Sequence, residues 1–201
     1  MVYWHPSLAW AQGKKPAILV VGDSLSAEYG VKRGTGWVSL LQEKLIEAKR
    51  PEEMVNAGIS GDTTAGGRSR LPALLRQHQP SVVIIELGGN DALRGMHLST
   101  TQANLAAMVR ASHDAGAKVI LVGMEMPPNY GARYTRQFRE IFQTVAKEER
   151  TALVPFLLAG VADRPDAMSL FQSDRIHPNE TAQPMLADNV WPTLLKQLTS
   201  K

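Results

Sequence analysis

Ala17-Ile18-Leu19-Val20-Val21-Gly22-Asp23-Ser24-Leu25-Ser26 decides the fold of this chain. Five apolar residues without polar alternation make a strand buried on both faces, the pattern of a parallel sheet. The run stops at Gly22-Asp23-Ser24, turn formers that leave a serine at the carboxyl end of the strand. Moving outward, Gly36 to Lys49 carries Trp37, Leu40, Leu41 and Leu45 at helical spacing. Met54 to Ala57 reads as a short second strand, and Arg68 to His78 as a helix closed by Pro80. Ser81 to Leu87, with Val82-Val83-Ile84-Ile85, is the strongest strand. Thr101 to Ala115 is a helix stopped by Gly116, followed by a strand over Lys118 to Val122. Tyr134 to Glu149 places Tyr134, Phe138, Ile141, Phe142 and Val145 on one helical face, and Ala152 to Pro155 is a last short strand. A C-terminal helix starts near Thr181, with interruptions expected near Pro184 and Pro192. This alternation predicts an α/β fold, a parallel sheet of about five strands with helices on both faces.

Ligands of such sheets bind beyond the carboxyl ends of the strands. The loop after the first strand holds Asp23 and Ser24; the serine suits nucleophilic catalysis, and a local turn would use the same residues. Asp23 also leaves open an aspartyl phosphotransferase, although the second acid that often accompanies that chemistry is missing two residues on. The G-x-S-x-G elbow is absent, since Ala27 follows Ser26. The second loop, Asn56-Ala57-Gly58-Ile59-Ser60-Gly61-Asp62-Thr63, has glycines that let backbone N–H groups converge on an anion. The third, Gly88-Gly89-Asn90-Asp91, offers an amide that can donate to the same oxyanion or form an Asx turn. Asp174-Arg175-Ile176-His177-Pro178 supplies a carboxylate and an imidazole three residues apart, fit either for a base and its orienter or for two metal ligands. His5, His78, His97 and His113 lack such a partner pattern.

Composition narrows the field. The chain has 201 residues, 44% of them hydrophobic, enough for one self-sufficient domain. It has no cysteine, which removes thiolate catalysis, disulfides and cysteine metal sites. A net charge of +3 with basic residues spread along the chain argues against nucleic-acid binding. No apolar run is long enough to span a bilayer, so no stable membrane insertion is expected. Ala9-Trp10-Ala11 has the small-x-small form of a secretory cleavage site. Residues 1–16 are accordingly taken as a leader remnant or an appended terminus, and 17–201 as one catalytic domain.

Gly22-Asp23-Ser24-Leu25, Gly61, Gly88-Gly89-Asn90-Asp91 and Asp174-Arg175-Ile176-His177 together resemble the four blocks of the GDSL (SGNH) hydrolases. The resemblance spans about Ala17 to Leu198. It is closest to the bacterial thioesterase I / protease I / lysophospholipase L1 group and related arylesterases, through Ile59-Ser60-Gly61-Asp62-Thr63, Arg70-Leu71-Pro72-Ala73-Leu74-Leu75, Glu86-Leu87 and Pro128-Asn129-Tyr130-Gly131. It implies a three-layer flavodoxin-like fold, no cofactor, no metal and a periplasmic or secreted enzyme acting on small acyl esters or thioesters. It also implies a triad of Ser24, Asp174 and His177, with an oxyanion hole from Ser24, Gly61 and Asn90. Arg175 stands where many relatives have glycine, as does Ala92 after the Asn-Asp pair.

A substrate groove is expected along Leu25, Leu93, Met96, Met126, Pro127, Tyr130 and Ile176, on segments long enough to move as walls. A carbohydrate or peptidoglycan O-acetylesterase on the same fold is the alternative enzyme, disfavoured by an aromatic content of 6%. A catalytically dead binding module is the alternative from another class. Acyl-chain length, physiological substrate and oligomeric state are not encoded in any motif.

Overall fold

Five parallel strands form one sheet in the order β2-β1-β3-β4-β5 in a computed structural model that describes residues 15–200. The expected leader falls almost wholly on residues 1–14, outside the described residues. In chain order the elements are β1 (Ala17–Gly22), α1 (Trp37–Glu47), β2 (Glu53–Asn56), α2 (Thr64–His78), β3 (Val82–Glu86), α3 (Gly89–Leu93), α4 (Leu98–Asp114), β4 (Lys118–Val122), α5 (Ala132–Glu148), β5 (Ala152–Val154) and α6 (Gln183–Thr199). Three short 3₁₀ turns, at Pro128–Tyr130, Ala167–Leu170 and Glu180–Ala182, punctuate the loops.

Every residue of β1 and β3 is buried, as their unbroken apolar runs require. Their register runs from Ile18 opposite Val82 to Gly22 opposite Glu86, which aligns the two carboxyl ends. Helix α1 packs on α6, and α4 packs on both α2 and α5, giving a helical layer on each side of the sheet. Helix α5 buries Phe138, Ile141, Phe142 and Val145, an i, i+3, i+4, i+7 stripe, and the Phe138 and Phe142 rings meet edge to face at 5.3 Å.

Three expectations need correction. Helix α2 begins at Thr64, before Arg68, because Thr63 caps it by accepting the Gly66 N–H. Gly66 and Gly67 look like loop residues, yet Gly67 is there for packing: a Cβ would sit 2.3 Å from Leu87 Cδ1. The C-terminal helix is continuous from Gln183 to Thr199. Pro184 lies in its first turn, where a missing N–H is harmless, and burial of Leu186, Ala187, Val190 and Leu194 carries the helix past Pro192. The Gly88-Gly89-Asn90-Asp91 loop is largely helical, forming the single turn α3.

Candidate active site

The strand order places the switch in sheet direction between β1 and β3, the position beyond whose carboxyl ends open α/β sheets bind ligands. Ser24 lies in the turn leaving β1. That turn is built by Asp23, whose carboxylate accepts the Leu25 N–H at 3.0 Å while its carbonyl accepts the Ala27 N–H at 2.9 Å. Trp37, at the start of α1, steadies the turn by donating its indole N–H to the Leu25 carbonyl at 3.1 Å.

Asp174 and His177 sit on a loop pinched by the Phe171–Pro178 bridge. The Gln172 N–H donates to the His177 carbonyl at 2.8 Å, and the Asn179 N–H to the Leu170 carbonyl at 2.8 Å. Arg175 takes the left-handed conformation, φ 59°, that this tight loop demands. Asp174 Oδ1 accepts the N–H groups of Ile176 and His177, and Oδ2 is 2.7 Å from His177 Nδ1. Those bonds, the His177 N–H first, then the Ile176 N–H and the imidazole, lower the Asp174 carboxyl to a pKa of about 2. On the far side of the ring, His177 Nε2 is 2.8 Å from Ser24 Oγ. The exposed Tyr29 ring covers His177 at a centroid distance of 4.4 Å. Ser24, His177 and Asp174 thus form one hydrogen-bonded chain able to move a proton off the hydroxyl. Asp174 and His177 face each other, and no group of three metal-ligating side chains occurs among the described residues.

Gly61 has φ 77° in the loop after β2, and its carbonyl accepts from Arg94 Nη2 at 2.7 Å. Asn90 Nδ2 donates one N–H to Asp23 Oδ2 at 2.9 Å, which leaves its second amide hydrogen for another acceptor. Beneath the turn, Glu86 at the end of β3 accepts the Ser26 hydroxyl at 2.7 Å and the Asp23 N–H at 3.3 Å. Burial, then the neighbouring Asp23 charge, pushes the Glu86 carboxyl well above its usual range. Burial likewise raises Asp23 to about 6, against the opposing pull of the Leu25 N–H, His177 and Asn90.

Of the expected groove residues, Leu93, Tyr130 and Ile176 are exposed, Pro127 lies at the surface, and Leu25 and Met96 are half-buried. Met126 is different. It is 5% exposed and offers almost no surface to a ligand, because its side chain belongs to the buried hydrophobic core. Sequence reasoning missed Tyr29 and Ile59. With Leu93, Tyr130 and Ile176 they are five exposed large apolar side chains in segments that follow the five strands; Met168, also after β5, and Ile46, on α1, are exposed as well. A shallow pocket beside Ser24 and His177 is lined by Leu25, Tyr29, Val31 and Pro178. Glu86 was also missed as a site residue, although a carboxylate ending an otherwise apolar strand is a visible signal.

A profile of the GDSL-like lipase/acylhydrolase family matches residues 20–183. The chain is 51% identical to esterase TesA of Pseudomonas aeruginosa over 183 residues, covering 91% of this chain and 90% of that protein. It is 43% identical to thioesterase 1/protease 1/lysophospholipase L1 of Escherichia coli (strain K12) over 171 residues, covering 85% of this chain and 79% of that protein. A crystal structure of TesA superposes with a TM-score of 0.86 at 51% identity, covering 90% of this chain and 99% of that one.

Proposed function

The chain belongs to the GDSL-like lipase/acylhydrolase family, and from that premise we propose that it hydrolyses carboxylic esters and thioesters through an acyl-enzyme on Ser24. The observation that carries this reading is the continuous chain from Asp174 Oδ2 to His177 Nδ1 at 2.7 Å and from His177 Nε2 to Ser24 Oγ at 2.8 Å. His177 Nε2 takes the hydroxyl proton as Oγ attacks the acyl carbonyl, and Asp174 holds the ring in the tautomer that leaves Nε2 unprotonated. The backbone N–H groups of Ser24 and Gly61 and the free amide hydrogen of Asn90 stabilise the oxyanion; losing one such donor costs about 100- to 1,000-fold in turnover. His177 then protonates the departing alcohol or thiol. Water, deprotonated by the same imidazole, attacks the acyl carbonyl and releases the acid and free Ser24.

The acyl chain lies against the apolar rim of Tyr29, Ile59, Leu93, Tyr130 and Ile176, with Leu25, Met96 and Pro127 beside it. An aliphatic rim with two tyrosines suits acyl and aryl groups better than sugar hydroxyls. The names of the relatives, esterase and thioesterase/lysophospholipase, likewise do not favour the carbohydrate O-acetylesterase alternative. The Ala9-Trp10-Ala11 pattern supports a periplasmic or secreted location.

Hydrolysis of p-nitrophenyl esters from acetate to palmitate, and of palmitoyl-CoA, by the parent and Ser24→Ala chains tests the reading. Activity on both classes in the parent, falling at least about 1,000-fold in the variant, is expected. Equal activity in the two chains would refute it.

A further inference from the structure

Ser24 and Gly61 lie on different loops, and the proposed reaction needs both at a set distance from one acyl carbonyl. One side chain outside the two loops bonds to each of them. Arg70, on α2, donates from Nη2 to the Gly22 carbonyl at 3.1 Å, two residues before Ser24. Its Nη1 donates to the Ala57 carbonyl at 2.5 Å, and its Nε to Asp62 Oδ2 at 2.8 Å, next to Gly61. The Gly22 carbonyl also accepts the Ile59 N–H at 3.0 Å, and the N–H of the same peptide unit is the one Glu86 receives. The peptide entering the Ser24 turn is therefore held at both its polar ends, by groups from α2, β3 and the loop after β2.

The Arg70 and Asp62 side chains are only 20% and 11% exposed. Charge-assisted hydrogen bonds in so little water are stronger and more rigid than surface ones. The planar guanidinium presents its donors in a fixed fork, so three bonds to three acceptors define the relative position of the acceptors as well as that of the arginine. Helix α2 does not depend on these bonds for its own seating. It is fastened independently by Asp91, which accepts the Thr64 N–H at 2.9 Å and the Thr64 hydroxyl, and by the contact of Gly67 with Leu87.

We infer that Arg70 is a positioning residue of the reaction, its guanidinium setting the separation between the turn that carries Ser24 and the loop that carries Gly61. The inference rests on the Ser24 mechanism proposed above and deepens it. Arg70 bonds to none of the reacting atoms and to no side chain of the apolar rim. Its loss consequently weakens the transition state and spares ground-state binding.

The test uses the full chain with p-nitrophenyl butyrate, comparing the parent with Arg70→Lys, which keeps the charge but loses the fork. Asp62→Ala is the second variant; it removes the tie beside Gly61 and leaves the bond to the Ala57 carbonyl and the arginine stem in place. Arg70→Lys is expected to lower kcat about 10- to 100-fold with KM within about threefold of the parent, since small misplacements of reacting groups are costly. Asp62→Ala should lower kcat about fivefold or more with the same KM pattern. Alkyl fluorophosphonate should modify Ser24 more slowly by similar factors. A folded Arg70→Lys chain with kcat within about twofold of the parent overturns the inference, and if that chain does not fold the same outcome in Asp62→Ala overturns it. Fluorophosphonate labelling of Ser24 in the parent separates the two readings. Labelling with unchanged variants removes Arg70 alone, whereas absence of labelling removes the Ser24 mechanism beneath it.

Discussion

A carboxyl group closes β3, a strand buried along its whole length. Glu86 is 2% exposed and bonded to Ser26 and Asp23, so ionising it places a charge where water cannot reach. Its pKa in the folded chain is therefore raised above the ordinary 4.5, mainly by burial and then by Asp23. The folded chain keeps a proton that the unfolded chain gives up, so stability falls as pH climbs above the ordinary carboxylate value. Glu86→Gln keeps an acceptor for both donors and removes the penalty. Its melting temperature should gain on the parent as pH rises from about 5 to 8, by about 2–4 °C for each kcal/mol relieved. A gap that stays level across that range, followed by scanning calorimetry, would show that Glu86 is ionised throughout. Asp174 titrates in the opposite sense. Its carboxyl, lowered to about 2 chiefly by the His177 N–H, contributes stability at neutral pH that is lost only as pH falls toward that value.

Among the elements, α2 is the clearest case of tertiary contact overruling local pattern. Gly67 is a poor helix residue, yet its missing Cβ lets α2 approach β3 until Leu87 Cδ1 fills the space. Gly67→Val should destabilise the chain by about 1–3 kcal/mol, measured by urea unfolding, because the buried Leu87 and Met108 cannot withdraw. A variant as stable as the parent would mean that the helix can slide outward. The same contact explains what was and was not legible in the sequence. Val82-Val83-Ile84-Ile85 and Ile18-Leu19-Val20-Val21 declare strands because burial on both faces leaves no room for polar residues. The first turn of α2 was invisible because Gly67 answers to Leu87, twenty residues on, while Gly66 makes room for the Asp62 carboxylate. The proline expectation for α6 failed for a related reason, since four buried side chains hold the helix together past Pro192. At the site, Ser24, Asp174 and His177 were findable because Gly-Asp-Ser and Asp-x-x-His are local patterns. Arg70, 48 residues from the carbonyl of Gly22, and Tyr29, which meets the ring of His177, matter only through contacts the folded chain creates.

Across the whole molecule, distant parts of the chain are brought to one point, with Ser24 and His177 separated by 153 residues in sequence. Gln183, at the head of α6, joins the regions: its side-chain Oε1 accepts the Trp37 backbone N–H at 3.1 Å and its Nε2 donates to the Asn179 carbonyl at 3.3 Å. The turn after β1 and the loop bearing His177 are thereby tied through α1 and α6. The sheet contributes by aligning the carboxyl ends of β1 and β3. No helix among the described residues is long and apolar enough to cross a membrane. The most direct test of an acyl-enzyme on Ser24 is titration of the chain with an alkyl fluorophosphonate, following esterase activity and the modified peptide by mass spectrometry together. Activity should fall to zero in proportion to a single adduct, reaching about one per chain, on Ser24. An adduct on another residue, or activity that survives complete modification of Ser24, would contradict the mechanism.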